Sequence, residues 1–323
     1  MDFMKSFAVV TPTFNREIFL QRLYDSLVSQ IFPYKDFSWI IVDDGSTDNT
    51  KDLIDKLKEY SPFEIVYLYK DNGGKHTAWN YAINYLLNKE YKYFVSIDSD
   101  DELTSNALSV FLAHWEDIER KRVDIGIINA RTIVSGSECH IPSYYGDNPY
   151  IDDTYLNIAV KAGDRGEMIT SIRVSDLTRY LISPNSFWLS EYCKFFSENV
   201  LWARASRKTK TRYLRDILRI VHQDANNQVS SNKSNRGTRH LYNYIVGIKY
   251  FYTENLDYVL PYQKSRLFID IAKYGAMCLI TGISISKAYT ELEIRILKLL
   301  YCLSFPISLL MVCVFYLKRC IKR

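Results

Sequence analysis

Along the first hundred residues the hydrophobic period switches back and forth between that of a strand and that of a helix. SFAVVTP (6–12) is a short β-rich apolar run ended by proline. EIFLQRLYDSLVSQ (17–30) then places Ile18, Leu20, Leu23, Tyr24, Leu27 and Val28 at helical spacing. FSWIIV (37–42), FEIVYLY (63–69) and YKYFVSI (91–97) repeat the strand signal. STDNTKDLIDKLKEY (46–60), which opens on capping residues, and KHTAWNYAINYLLN (75–88) repeat the helix signal. Strands alternating with helices of this length predict an α/β fold with a doubly wound, mostly parallel sheet. Ligands of such sheets bind beyond the carboxyl ends of the strands, so the pattern locates a site before any motif is considered.

Beyond residue 104 the periods loosen. A helix over 104–120 and a strand over 123–134 are predicted, and 135–166 reads as loop. Helical segments return at 189–205 and from 239 onward, with SSNKSNRGTR (230–239) between them as a linker. The expected division is a domain over 1–230, in two halves meeting near 105, and a helical region over 240–323. Within that region LLYCLSFPISLLMVCVFYL (299–317) carries no charged side chain. As a helix at ~1.5 Å per residue it reaches about 28 Å, roughly the hydrocarbon thickness of a bilayer. Apolar residues surround it without a polar face, and KRCIKR follows with four positive charges, as at a membrane interface. Arg295 and Lys298 flank the other end, so charge selects no orientation. Membrane association is expected; a full span and an in-plane or re-entrant helix broken at Pro306 both fit, and a buried helix kinked there is the bland alternative.

Composition adds less. Of 323 residues, 47% are hydrophobic and 24% charged, the balance of a globular chain rather than a disordered one. Six cysteines without a CxxC pair, three of them in or beside the apolar tail, argue against a disulfide framework and for a reducing compartment. With an acid at Asp2 and strand-like sequence by Phe7, no signal peptide is expected in these first residues. The net charge of +4 selects no partner, but it is unevenly placed: residues 204–239 hold ten Lys/Arg against Asp216 and Asp224.

Four polar clusters fall at the predicted strand ends: TPTFNR, DDGSTD, KDNGGKH and DSDD. In an extended chain residues i and i+2 face the same side, so Asp98 and Asp100 converge while Ser99 points away. Carboxylates this close repel, and a divalent cation such as Mg²⁺ or Mn²⁺ relieves the repulsion. These ions commonly take one or two oxygens from protein and the rest from water and phosphate. The alternative is an acidic cap, Asp100 or Asp101, on the helix from 104. Asp43 and Asp44 end the second strand, where a carboxylate can accept hydrogen bonds from a base imide or ribose hydroxyls; Gly45 and Asp48 there read as turn and cap. NGGKH joins a Gly-Gly turn to a helix start with Lys75 beside it, a phosphate-compatible arrangement, but it is not a P-loop. Neither GxGxxG nor HExxH occurs.

Together, VVTPTFNR, IIVDDGSTDNT, DNGGKHTAWNYAI and FVSIDSDDEL, in this order over roughly the first 105 residues, resemble the inverting family 2 glycosyltransferases of the GT-A fold, of the bacterial surface-polysaccharide type. The resemblance implies a nucleotide-sugar donor, a UDP-sugar first, with the DxD-type cluster holding Mn²⁺ or Mg²⁺ against its diphosphate. Thr11, Pro12, Asn15 and Arg16 would then line the nucleotide pocket, Asp43 or Asp44 would meet base or ribose, and Lys75 would approach phosphate. Asp98 and Ser99 would face ribose or donor sugar, and Asp98 and Asp100 the metal. His222, in IVHQDANNQVS, would complete the metal or diphosphate site, where a lone His is otherwise structural.

GDRGEMITSIRVSDLTRY and FFSENVLWARAS resemble the acceptor side of bacterial members, which implies Glu198 as catalytic base; many relatives follow it with Asp where this chain has Asn199. The halves 1–105 and 106–230 become donor and acceptor halves. The expected product is a cell-surface polysaccharide such as O-antigen, capsule or exopolysaccharide. Its acceptor is expected to be a lipid-linked glycan at the cytoplasmic face of a bacterial membrane. The basic stretch 204–219 is expected on the helical side of the site. Nucleic acid fits it on charge alone, anionic headgroups or a lipid-linked pyrophosphate fit better beside such a tail, and a solvated face is the default. Two alternatives stand. A nucleotidyltransferase would carry a Gly/Arg/Lys-rich triphosphate loop that TPTFNREIF lacks, and an inert membrane-tethered binder sits poorly with intact Asp98, Asp100 and Glu198.

Overall fold

The computed structural model describes residues 4–138, 140–164, 166–177, 198–224 and 239–321. β1 (Lys5–Thr13), β2 (Phe37–Asp43), β3 (Glu64–Tyr69) and β4 (Tyr91–Ser96) are parallel, in the order β3-β2-β1-β4. α1 (Glu17–Val28), α2 (Thr50–Tyr60) and α3 (Lys75–Leu86) follow the first three strands. Each of these elements lies within four residues of its predicted bounds. Their strands are apolar on both faces, β2 being buried at every position, because helices must cover a parallel sheet on each side.

Past β4 the sheet becomes mixed. β8 (Met168–Arg173) joins β4 antiparallel, β6 (Ile125–Val134) is antiparallel to β8, and β9 (Lys210–Val221) runs parallel to β6. The two-residue β5 (Glu102–Leu103) and β7 (Tyr150–Asp153) both pair antiparallel with β9. α4 (Ala107–Lys121) buries Phe111 and Trp115. Trp115 stacks on Tyr93 at 4.9 Å and donates its indole N–H to the Ser171 hydroxyl at 2.9 Å, which satisfies the one polar atom of a buried ring.

The basic stretch 204–219 is not on a helical side of the chain; most of it is β9, inside the sheet. Arg212 is 1% exposed, with Asp117 and Asp152 each 2.8 Å from its guanidinium and the Tyr150 ring 3.9 Å beneath it. A buried cation demands such partners, because desolvating an unpaired charge is costly. Arg212 and Arg219 therefore face carboxylates of this chain rather than headgroups or a pyrophosphate.

Residues 156–163, 198–204 and 239–321 form a second compact unit, so part of the expected acceptor half groups with the helices. It contains α5 (Glu198–Ala205), which extends to the boundary, α6 (Arg239–Tyr262), α7 (Lys264–Ile280), α8 (Ile285–Glu291) and α9 (Arg295–Ile321). α6 is interrupted at Asn255, whose side-chain amide donates to the Phe251 carbonyl at 2.9 Å. The Tyr252 hydroxyl donates to Asp270 at 2.6 Å and joins α6 to α7. The linker up to 238 and the predicted helical stretch 189–197 lie outside the described residues.

Candidate active site

Because β1 to β4 are parallel, Thr13, Asp43, Tyr69 and Ser96 end at one edge, and the four polar clusters continue from there. The loops after β1 and β2 are tied together. Asn15 adopts a left-handed φ of 53°, its backbone N–H donates to the Ser46 hydroxyl at 2.9 Å, and its side-chain oxygen accepts from Thr47 N–H at 2.8 Å. Asp43 accepts from Ser46 N–H at 2.7 Å and from the Tyr67 hydroxyl at 2.8 Å. Burial, then this hydrogen bond, push the Tyr67 phenol well above its ordinary pKa.

Asp44 organises the loop after β3. It is 3% exposed and accepts from Lys70 Nζ at 2.6 Å, Gly73 N–H at 2.9 Å and Gly74 N–H at 2.6 Å. A buried carboxylate fixed by two backbone donors and an ammonium sets the Gly-Gly turn. Gly45 permits that approach, since its φ is +82° and a Cβ there would lie 2.8 Å from Asn72 N. Gly74 then caps α3, and Lys75 is its first residue.

Lys75 Nζ lies 2.7 Å from one oxygen of Asp98, and the Arg219 guanidinium lies 3.1 Å from the other. Arg219 also donates through Nε to Asp101 at 2.6 Å and makes a second, shorter contact to the same oxygen through Nη2. Burial alone would raise the Asp98 pKa, but Lys75, Arg219 and Arg16 overcome it and hold the carboxyl well below the usual range. Burial pushes Asp101 up, Arg219 pulls it down, and Asp98 and Asp100 push it up again, to about 7. Asp100 differs from both. Among the described residues its carboxylate meets only Arg16, at 3.8 Å, while its backbone carbonyl accepts from Arg22 at 2.5 Å. Arg16 Nη1 is buried and has no hydrogen-bond partner among the described residues, a donor left over beside the acidic cluster.

The structure thus gathers Asn15, Arg16, Asp43, Asp44, Lys75, Asp98, Ser99 and Asp100 around the edge of the parallel strands. Other predicted residues lie elsewhere or face other groups. Thr11 is fully buried and its hydroxyl accepts from the Trp39 indole at 2.9 Å, so its side chain belongs to the core, and Pro12 is buried beside it. The three-ligand metal set Asp98, Asp100 and His222 is not assembled. Both Asp98 oxygens face cations, His222 Nε2 lies 2.6 Å from Glu102, and no group of three His, Cys, Asp or Glu side chains is arranged for a metal among the described residues. One carboxylate, Asp100, keeps available lone pairs. That suits Mg²⁺ or Mn²⁺ bound chiefly through phosphate and water. Glu198 opens α5 in the second unit. Lys70, Arg22 and Arg219 were missed. Arg219 is 118 residues from Asp101, and its only signal was membership of a basic run.

Residues 8–137 match the family model for glycosyl transferase family 2. The chain is 29% identical over 135 residues to the minor teichoic acid biosynthesis protein GgaB of Bacillus subtilis, covering 41% of this chain and 15% of that one. It is 31% identical over 105 residues to the poly(ribitol-phosphate) beta-N-acetylglucosaminyltransferase TarS of Staphylococcus aureus, covering 32% of this chain and 18% of TarS. The chain therefore aligns with less than a fifth of the length of either relative. Solved structures share the fold over more of it. S. aureus TarS 1–349 in complex with UDP-GlcNAc superposes with a TM-score of 0.58 at 16% identity, over 94% of this chain and 80% of that one. The mannosyltransferase PcManGT of Pyrobaculum calidifontis, in complex with GDP-Man and Mn²⁺, gives 0.54 at 12% identity, over 97% and 87%. With its four parallel strands, mixed continuation and acidic fourth strand end, the chain has a GT-A fold, and its residues 8–137 are similar to glycosyl transferase family 2.

Proposed function

We propose that this chain is a divalent-cation-dependent, inverting glycosyltransferase of bacterial cell-surface polymer synthesis. It would take a nucleotide sugar, a UDP-sugar first, and glycosylate a hydroxyl of a glycan acceptor, lipid-linked, at the cytoplasmic face of the membrane. One observation carries the reading. At the edge where parallel strands end, Arg16 keeps a buried donor without a hydrogen-bond partner among the described residues and Lys75 heads a helix, Arg16 beside Asp100 and Lys75 beside Asp98. Two cations and a helix N-terminus suit a diphosphate. The names of the relatives, teichoic acid biosynthesis and poly(ribitol-phosphate) glycosylation, favour a surface polymer as product.

In the reaction the acceptor oxygen bonds to the anomeric carbon as the bond from that carbon to the phosphate oxygen breaks on the opposite face, which inverts the centre. Glu198 takes the acceptor proton. Arg16 and Lys75 offset the charge growing on the departing nucleoside diphosphate. Asp98 orients Lys75 now and is the group available to ribose or sugar once Lys75 turns to phosphate. A bound Mn²⁺ or Mg²⁺, held by Asp100, would supply further charge neutralisation on the diphosphate.

The test is turnover of a nucleotide-sugar panel, UDP-GlcNAc and GDP-Man included, by the purified chain with Mn²⁺. Free sugar plus nucleoside diphosphate is expected from slow transfer to water, with Glu198→Gln lowering that turnover about 10²–10⁴-fold at little changed donor KM. Pyrophosphate released from a nucleoside triphosphate would identify a nucleotidyltransferase, and no turnover across the panel an inert binder.

A further inference from the structure

α9 presents its faces in the reverse of the order found on a soluble-protein helix. The stripe turned inward is Leu297, Tyr301, Ser304 and Ser308, and both serines are fully buried. The face turned outward carries Leu299, Leu303, Ile307, Leu310, Val314 and Leu317, which are 39–64% exposed. The inward contact is close and polar. Ser308 Oγ donates to the Ala272 carbonyl of α7 at 2.9 Å, and a Cβ on Gly275 would sit 2.7 Å from that same oxygen. Serine and glycine between helices, with aliphatic side chains outside, is the packing chemistry of helices in lipid.

Depth decides how such a helix meets a bilayer. Arg295–Lys318 is long and apolar enough to cross, and Ser308 lies near its middle. The residue after Ala272, however, is Lys273, whose side chain is half-exposed and pairs with Asp270 at 3.0 Å; Arg266, also more than half exposed, approaches Asp270 at 3.4 Å. A crossing helix would carry these charges of α7 to mid-membrane depth, where ionised side chains are disfavoured. A helix lying in the interface places only its outward leucine face in hydrocarbon and leaves the charges among headgroups and water. Arg295 and Lys318, both exposed, mark the two ends of the apolar face, and the sequence adds Arg319, Lys322 and Arg323. Cations there favour anionic headgroups.

We infer that α9 docks in the plane of an anionic lipid surface, apolar face downward, without crossing it. This rests on the helical unit alone and stands whether or not the glycosyltransferase reading holds. The full chain should float with phosphatidylglycerol vesicles and weakly with phosphatidylcholine vesicles. Leu303→Asp together with Leu310→Asp should abolish flotation without moving the thermal melt, and Lys318→Gln, which leaves the packing alone, should weaken it about fivefold. To read topology, Arg295→Cys and Lys318→Cys are placed singly in a chain with its native cysteines replaced by serine, in inverted inner-membrane vesicles. A membrane-impermeant maleimide added outside should label both ends. Labelling of only one end would mean a span and overturn the inference. So would a soluble dimer that ignores vesicles, because the apolar face would then be an interface between copies.

Discussion

Arg219 holds two aspartates in fixed positions, and its removal should be felt twice. Its side chain is 10% exposed and is shared between Asp98 and Asp101. Arg219→Met leaves both carboxylates without their shared partner, so unfolding in urea should show a loss of about 3–5 kcal/mol. Arg219→Lys returns the charge without the planar fork; it should recover part of that stability while donor KM stays raised. An unfolding midpoint unmoved in Arg219→Met would sink the pairing. At this scale the sequence was legible where the site is local. Asp98 and Asp100 share one run, but β4 ends at Ser96 and a turn follows, in which Asp101 N–H donates to the Asp98 carbonyl at 3.2 Å, so the strand period that suggested their convergence does not extend to them. Asp44 was legible as a strand-end carboxylate but not as the anchor of the Gly-Gly turn, because its donors Lys70, Gly73 and Gly74 come from the next strand's loop. Thr11 was misplaced since alternation along a doubly covered strand does not say which face holds a tryptophan.

Among the elements, the loop junction after β2 and β3 is under tight geometric constraint. Gly45 and Gly136 both adopt positive φ, +82° and +77°, but only at Gly45 does a Cβ meet another atom, Asn72 N at 2.8 Å. Gly136→Ala should cost about 1–2 kcal/mol, the left-handed strain alone. Gly45→Ala should cost more and raise donor KM as well, since it displaces the turn that leads to Lys75. Equal losses in urea unfolding would show that the close approach is relaxed away. β1 to β4 and their helices could be read from pattern because each completes a period on its own. β5 is two residues long, and β7 gains its identity only by pairing with β9. β9 itself was concealed by Arg212 and Arg219, charged residues that are buried because their carboxylate partners are distant in sequence.

For the whole molecule, donor binding should stabilise the folded chain by mass action, about 2.7 kcal/mol at a hundredfold excess over Kd. Calorimetry with UDP should show the shift growing when Mn²⁺ is added, and Asp100→Asn should remove the added part while leaving some response to UDP. An identical manganese effect in the variant would exclude Asp100 as the ligand. The tail was legible as apolar all round, but the inward serines of α9 appear only when α7 is placed against it.

The net charge of the chain is +4, yet around the fourth strand end Arg16, Arg22, Lys75 and Arg219 each lie against acids, Asp98, Asp100, Asp101, Glu102, Glu167 and Asp224 among the described residues. Opposite charges at contact distance offset much of one another's field within a few ångströms. An anionic donor must therefore exchange ionic partners on contact, and its capture should depend only weakly on ionic strength.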